Sequence, residues 1–256
     1  LGLNIIGFGE CVMQKINTNL CHSILQIWRV SNNDRYEKAL RKWIESVEKR
    51  IINEDWYLDK PGQWNGIHFV QGSVENEIDY AIISNGTTAI RVDSFVENQT
   101  VNINNTIIEN MSAIGILGQG ANLEVNNTIV SSCGQYTVVC NIGGEYEFTH
   151  CTFANYWNLN TRNTPSILLN NSYEDINGTT QIRNLNKANF VNCIIDGSLT
   201  TEIEFQENIG GIFNYTFDHC LLKIDPNENT NTANYISIIK NENPDFIVFV
   251  SHGGYG

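Results

Sequence analysis

From Trp64 onward, short runs of alternating apolar and polar residues are separated by Asn, Gly and Ser, and the runs are similar to one another. Val101 Asn102 Ile103 Asn104 Asn105 Thr106 Ile107 Ile108 returns as Leu123 Glu124 Val125 Asn126 Asn127 Thr128 Ile129 Val130, and again as Tyr146 to Phe153. Weaker copies are Asn76 to Ile83, Ala188 to Ile195 and Tyr215 to Leu222. Aligned on Ile78, Ile103, Val125, Phe148, Phe190 and Phe217, the copies stand 25, 22, 23, 42 and 27 residues apart. Most of these separations lie near one repeat. The value of 42 is either two short repeats or one repeat carrying a long insertion, the second favoured for part of it because Asn158 to Pro165 and Tyr173 to Lys187 are polar and loop-like.

Within a copy, alternation such as Val101/Ile103 and Leu123/Val125 is the period of a strand with one face inward. A second short strand is expected about a dozen residues later, at Ala89 to Val92, Ile114 to Leu117 and Tyr136 to Val139. Strands recurring in this way without an intervening helix predict a β-solenoid, in which one coil cannot bury its own apolar face and must stack on the next. Ala81, Thr106, Thr128, Cys151, Cys193 and Cys220 then form an inward column of small residues. Tyr80, Asn105, Asn127, His150, Asn192 and His219 form a corner column, where Asn tolerates left-handed backbone and its amide can bond the next amide. The expected architecture is all-β: a right-handed parallel β-helix over 61–250, preceded by a helical or irregular segment over 1–60.

That first segment has its own pattern. Tyr36, Leu40, Trp43, Ile44, Val47 and Ile51 recur at helical spacing, with Glu37, Arg41, Lys42, Glu45, Glu48 and Lys49 on the other face. One amphipathic helix capped by Asn33 or Asp34 is predicted, covering the open end of the solenoid.

Charge narrows the partners. Residues 1–60 hold nine Lys/Arg and eight Asp/Glu, whereas the remainder holds six and twenty, a balance of about −14. Such a surface repels phosphate backbones and anionic membranes, so nucleic acid is not an expected partner. No apolar run approaches the roughly 20 residues that span a bilayer. Seven cysteines are an odd number and contain no C-x-x-C pair, which argues against a complete disulfide framework and a zinc ribbon. Cys133 and Cys140 lie seven apart around a turn, where they could pair under oxidising conditions.

From about Trp64 onward the chain resembles the right-handed parallel β-helix proteins of the pectate-lyase-like superfamily. The resemblance is strongest to a group of bacterial envelope proteins with segments similar to Pro61 to Ile67, Asn76 to Ile83 and Tyr146 to Tyr156. It implies an exported protein at the cell surface or in the periplasm, although no signal peptide is recognisable. It further implies additional coils before Pro61, a truncated end at 251–256, and no agreed catalytic residues. The expected function is a non-catalytic, monomeric envelope module that presents an acidic face to a polysaccharide or surface protein. The alternatives are a polysaccharide lyase or glycoside hydrolase, and a structural stalk of a larger surface protein.

Candidate chemistry is sparse. Lyases of this fold need carboxylates that hold Ca2+ and a neighbouring Arg or Lys base. Arg91 and Asp93 share one strand face, but aligning Ile90 with Ile114 sets Gly115 and Leu117 beside them, where acids would be needed. No cofactor is expected, Ca2+ entering only with the lyase alternative. Glycoside hydrolases need paired carboxylates; Glu145/Glu147 and Glu202/Glu204 are doublets at strand spacing and read as solubilising charge on an outer face. His150-Cys151 and His219-Cys220 suggest a metal, yet alternation points each His outward and each Cys inward. No residue is therefore assigned a catalytic or metal-ligating role. Aromatic residues outside the core columns are the better lead. Trp56, Trp64, Tyr136, Tyr156 and Trp157 have rings that could stack on sugars if exposed. Trp157, Tyr156 and Tyr136, with Arg91 and Asp93, are the candidate ligand-binding residues. Function is expected where the copies break pattern, above all between Phe148 and Phe190.

Overall fold

The computed structural model describes residues 60–94 and 99–246. The amphipathic segment over 34–52, Trp56 and the end at 251–256 lie outside the described residues.

Each repeat contributes three strands. The first coil holds Ile67–Phe69 (β1), Glu77–Asp79 (β2) and Ile82–Ser84 (β3), and the second Thr88–Asp93 (β4), Thr100–Asn104 (β5) and Ile107–Met111 (β6). The third holds Ile114–Gln119 (β7), Asn122–Asn126 (β8) and Ile129–Cys133 (β9), and the fourth Val138–Asn141 (β10), Gly144–Thr149 (β11) and Thr152–Asn155 (β12). In the fifth, Ile167–Asn170 (β13) is separated from Leu185–Val191 (β16) and Ile194–Gly197 (β17) by a hairpin of Ser172–Glu174 (β14) and Thr180–Ile182 (β15). The sixth comprises Ile203–Gln206 (β18), Thr216–Asp218 (β19) and Leu221–Leu222 (β20), and Tyr235–Ile236 (β21) and Ile239–Lys240 (β22) follow.

These strands build three long sheets, ordered β1-β4-β7-β10-β13-β18, β2-β5-β8-β11-β16-β19-β21 and β3-β6-β9-β12-β17-β20-β22. Every pairing within them is parallel, and among the described residues only β14 and β15 pair antiparallel. The architecture is an all-β parallel solenoid, with no helix among the described residues.

Stacking in register makes the sequence columns real. Ile78, Ile103, Val125, Phe148, Phe190, Phe217 and Tyr235 are successive partners in the second sheet. The rings lie nearly parallel, with centroids 4.6 Å apart for Phe148/Phe190 and 4.9 Å for Phe190/Phe217. Phe153 meets Phe148 edge-on at 5.6 Å from the third sheet. Because β11 pairs directly with β16, the 42-residue separation is a single coil with insertions. Trp64 seals part of the first coil, its Nε1 donating to the Ser84 carbonyl at 2.8 Å.

The corner column adopts the backbone that its composition predicts. Tyr80, Asn105, Asn127, His150, Asn192 and His219 all have φ between 48° and 54°. Asn127 Nδ2 donates to Asn105 Oδ1 at 2.7 Å, and Asn105 Nδ2 to Asp79 Oδ1 at 2.8 Å, so the corner carries its own hydrogen-bonded ladder.

Two expectations need correction here. In the first sheet Ile90 pairs with Ile116 rather than Ile114, because Ile116 faces the core while Ile114 is half exposed; Asp93 therefore lies beside Gln119. The stretch 173–187 is also no loop, since β14, β15 and the start of β16 occupy most of it.

Cys133 and Cys140 do not pair: both are free and buried, on β9 and β10 in different sheets. Cys151, Cys193 and Cys220 are free and buried in one inward column, their thiols donating to backbone carbonyls such as Phe148 O and Phe190 O. Burial pushes Cys133 up to about 12, and contact with Cys151 together with burial takes Cys193 to about 12.

Two predictions test this arrangement. Asn127→Val forces a β-branched residue into left-handed backbone and should lower the unfolding free energy by about 1–2 kcal/mol. Asn127→Gly, which accepts that backbone, should cost less in urea unfolding; equal losses would mean that backbone geometry does not select Asn there. The five buried thiols should resist iodoacetamide at pH 8 in the folded protein and react once urea unfolds it, because only an exposed thiolate attacks. Mass spectrometry showing native modification of Cys140 or Cys193 would contradict their burial.

Candidate functional site

An opening lies beside the insertion. A groove of about 630 Å³ runs between the corner joining the first two sheets and the β14–β15 hairpin. Its walls come from successive coils: Gln119 and Asn122 from the third, Ile142 and Glu145 from the fourth, and Tyr173, Arg183, Asn184 and Asn186 from the fifth.

The floor is fixed from inside. Tyr146 is fully buried beneath the corner, and its hydroxyl donates to Gly143 O at 2.8 Å while accepting from Ala121 N at 3.4 Å. Burial holds this phenol well above its usual range, so it remains a neutral donor. The turn above it passes through left-handed backbone at Ile142 (φ 63°), Gly143 and Gly144. Glycine is required at 144, where a Cβ would stand 2.5 Å from Ala121 O. Ile142 has no such freedom; a β-branched residue there stores strain on the order of 1–3 kcal/mol, of the kind that gathers at functional sites.

The hairpin forms the outer wall. Asp175 Oδ1 accepts from Asn177 N at 2.9 Å and Thr179 N at 3.0 Å, closing its turn, and these bonds lower the Asp175 pKa. Its base is tied to the next coil by buried Asn171, which donates to Asn208 O and accepts from Asn208 N at 2.7 Å. At the end of β15 the Arg183 guanidinium lies 5.6 Å from the Tyr173 ring centroid, a cation–π contact that orders both side chains.

The groove thus combines an aromatic ring, a cation, four side-chain amides and one carboxylate among its described lining residues. Glu145 accepts from Asn186 Nδ2 at 3.2 Å, and Glu147, two residues on, is paired with Lys187 at 2.7 Å. Such a lining suits recognition of a hydroxyl-rich ligand, with planar amides to hydrogen-bond and a ring to stack. Paired-carboxylate hydrolysis would require a second acid, which the described lining does not supply.

The residues singled out by sequence fall elsewhere. Arg91 and Asp93 lie on the outer face of β4, joined at 3.0 Å, with His68 Nε2 2.9 Å from the other Asp93 oxygen. Tyr136 is half-buried just before β10. Tyr156 is exposed but committed to Asp196, which its hydroxyl meets at 2.5 Å; desolvation and then that carboxylate raise the Tyr156 pKa. Trp157 is the clearest correction: it is 8% exposed, with Nε1 bonded to Asn160 Oδ1 at 2.8 Å, so its ring is no platform for a sugar. None of the five lines the groove.

Glu202 also departs from expectation. It is fully buried, not solubilising, and forms a two-pronged ion pair with Arg162 at 2.6 and 2.9 Å. Ser166 and the Leu199 amide complete its bonding, while Arg162 also donates to the carbonyls of Asn155 and Thr164. Gly197 is required beside it, since a Cβ would stand 2.2 Å from Glu202 Oε1. This cluster closes the loop over 156–166 against the body. No cluster of His, Cys, Asp and Glu able to hold a metal occurs among the described residues.

Fold and groove together define a class, a parallel β-solenoid with a hairpin-walled lateral groove. Comparison with protein-family models, curated proteins and solved structures finds no match to this chain.

Arg162→Met would strand the Glu202 charge and should destabilise by about 3–5 kcal/mol in urea unfolding. The double variant Arg162→Met/Glu202→Met should recover part of that loss. An unchanged midpoint in the single variant would show that the pair is not what holds the loop.

Proposed function

We propose that the protein is a non-catalytic saccharide-binding solenoid of the cell envelope, its ligand seated in the groove between the first corner and the hairpin. The observation that carries this reading is the lining itself: Tyr173 and Arg183 on one wall and Gln119 and Asn122 on the other bound an opening of about 630 Å³. That size lies within the range of about 300–1,000 Å³ common to small-molecule sites. Resemblance to pectate-lyase-like proteins of bacterial envelopes supports a carbohydrate ligand and an exported location. The acidic balance of residues 61–256 supports a neutral or cation-assisted ligand over a polyanion.

Glycan-array binding followed by titration calorimetry tests the proposal. Tyr173→Ala should weaken binding about 3- to 10-fold, since an aromatic contact contributes about 0.5–1.5 kcal/mol. Gln119→Ala should weaken it further, with unchanged unfolding midpoints. Binding to no saccharide, or binding indifferent to both substitutions, would overturn the groove as the site. Release of new reducing ends or unsaturated products from a bound polysaccharide would overturn the non-catalytic reading.

A further inference from the structure

Three thiols share one column away from the groove. Thr152 pairs with Ile194 and Ile194 with Leu221, so the residues before them, Cys151, Cys193 and Cys220, stack on one another in the fourth, fifth and sixth coils. Each is free, and each is 1% exposed. Successive coils lie about 4.8 Å apart, inside the roughly 4.4–6.8 Å that separates Cα atoms across a disulfide. Cys193 N already donates to Cys220 Sγ at 3.4 Å. Cys133 and Cys140 stand outside the column: Cys133 is stacked on Met111, and Cys140 lies between Gly118 and Leu169.

We propose that Cys193 and Cys220 close a disulfide when the chain folds in the presence of a small-molecule disulfide, stapling the sixth coil to the fifth. The Cys193 thiolate attacks one sulfur of that disulfide and expels a thiolate; the Cys220 thiolate then attacks the Cys193 sulfur of the mixed disulfide and expels the second. Two protein thiols are oxidised, one external disulfide is reduced to two thiols, and the protein's two thiol protons pass to the departing thiolates. Cys220 is the partner, and not Cys151, on two grounds. It lies 27 residues from Cys193, against 42 for Cys151 across the hairpin insertion, and the shorter loop closes about twice as readily. It also sits where the stack is weakest: β20, β21 and β22 are two residues long each, so few ladder bonds hold them and they open at low cost. Burial then fixes whichever state folding leaves, since neither an alkylating reagent nor a reductant reaches sulfurs that are 1% exposed. The redox poise met during folding thus sets the stability of the sixth coil. The inference rests on the stacked column and not on the groove or its ligand.

Refolding of the full chain from urea in a mixture of oxidised and reduced glutathione, then alkylation in urea and peptide mapping by mass spectrometry, tests it. A peptide joining Cys193 to Cys220 should appear, with Cys133, Cys140 and Cys151 alkylated. Cys220→Ser should abolish the link and Cys151→Ser should leave it. Serine suits the column, because Thr128 Oγ1 already donates to Asn126 O at 3.0 Å there, as Cys220 Sγ does to Asp218 O at 3.4 Å. Amides of β19 to β22 should exchange at least about tenfold more slowly in the linked protein than in the reduced one, while β5 and β8 exchange alike in both. Secretion of the chain into an oxidising periplasm, mapped in the same way, gives the answer without a refolding step. Alkylation of both Cys193 and Cys220, a link from Cys193 to Cys151, or a link that leaves exchange unchanged would overturn the inference.

Discussion

Parallel pairing in register between successive coils is the constraint from which the rest of the molecule follows. Once β5, β8, β11, β16 and β19 lie side by side about 4.8 Å apart, each side chain has its own equivalents as nearest neighbours. A residue must therefore suit copies of itself. Phenyl rings satisfy this by stacking, as at Phe148, Phe190 and Phe217. Amides satisfy it because each can donate to one neighbour and accept from the other, as Asn105 does between Asp79 and Asn127. Small thiols satisfy it by filling the inner corner while bonding to nearby carbonyls.

The same constraint explains what the sequence reveals. The second sheet is legible because its strands alternate strictly, so Val101/Ile103 and Leu123/Val125 identify their inner face without ambiguity. The corner is legible because Asn105, Asn127 and Asn192, which tolerate φ near 50°, recur at one register position of the repeat and carry Tyr80, His150 and His219 into the same column. The first sheet is harder: Ile114 Gly115 Ile116 Leu117 is apolar on both faces, and alternation cannot separate Ile114 from Ile116. Glu202 is misleading for a related reason. Glu-Ile-Glu-Phe reads as alternation with the acids outward, yet Arg162 draws Glu202 inside from forty residues away, and no local pattern records that contact. The insertion between Phe148 and Phe190 is recognisable as the place to look. Tyr173 and Arg183 are not singled out within it, because their pairing depends on a hairpin that polar composition disguises as loop.

Two insertions flank β13, one entering the fifth coil and one within it, at different corners, and their physics differs. The loop over 156–166 is drawn closed by a buried ion pair whose oxygens are fully engaged. Such a pair contributes little net stability over an apolar equivalent, but it specifies one arrangement, because any other leaves a charge buried alone. Trp157 and Arg162, which the loop supplies, end inside. That corner is committed to structure.

The hairpin at the other corner is held open. Asn171 fixes its base and Asp175 its turn, and neither draws the Tyr173 and Arg183 wall down onto the sheet. The corner opposite is held at strained backbone by Tyr146 and Ile142 instead of relaxing into the gap. Stacked sheet faces admit little variation, since a change in one coil must be tolerated by the coils on either side. A loop leaving the stack at one coil escapes that condition. Among the described residues, the groove beside the hairpin joins this freedom to a rigid floor and a polar lining, and rigidity beneath variable walls is what selective binding requires.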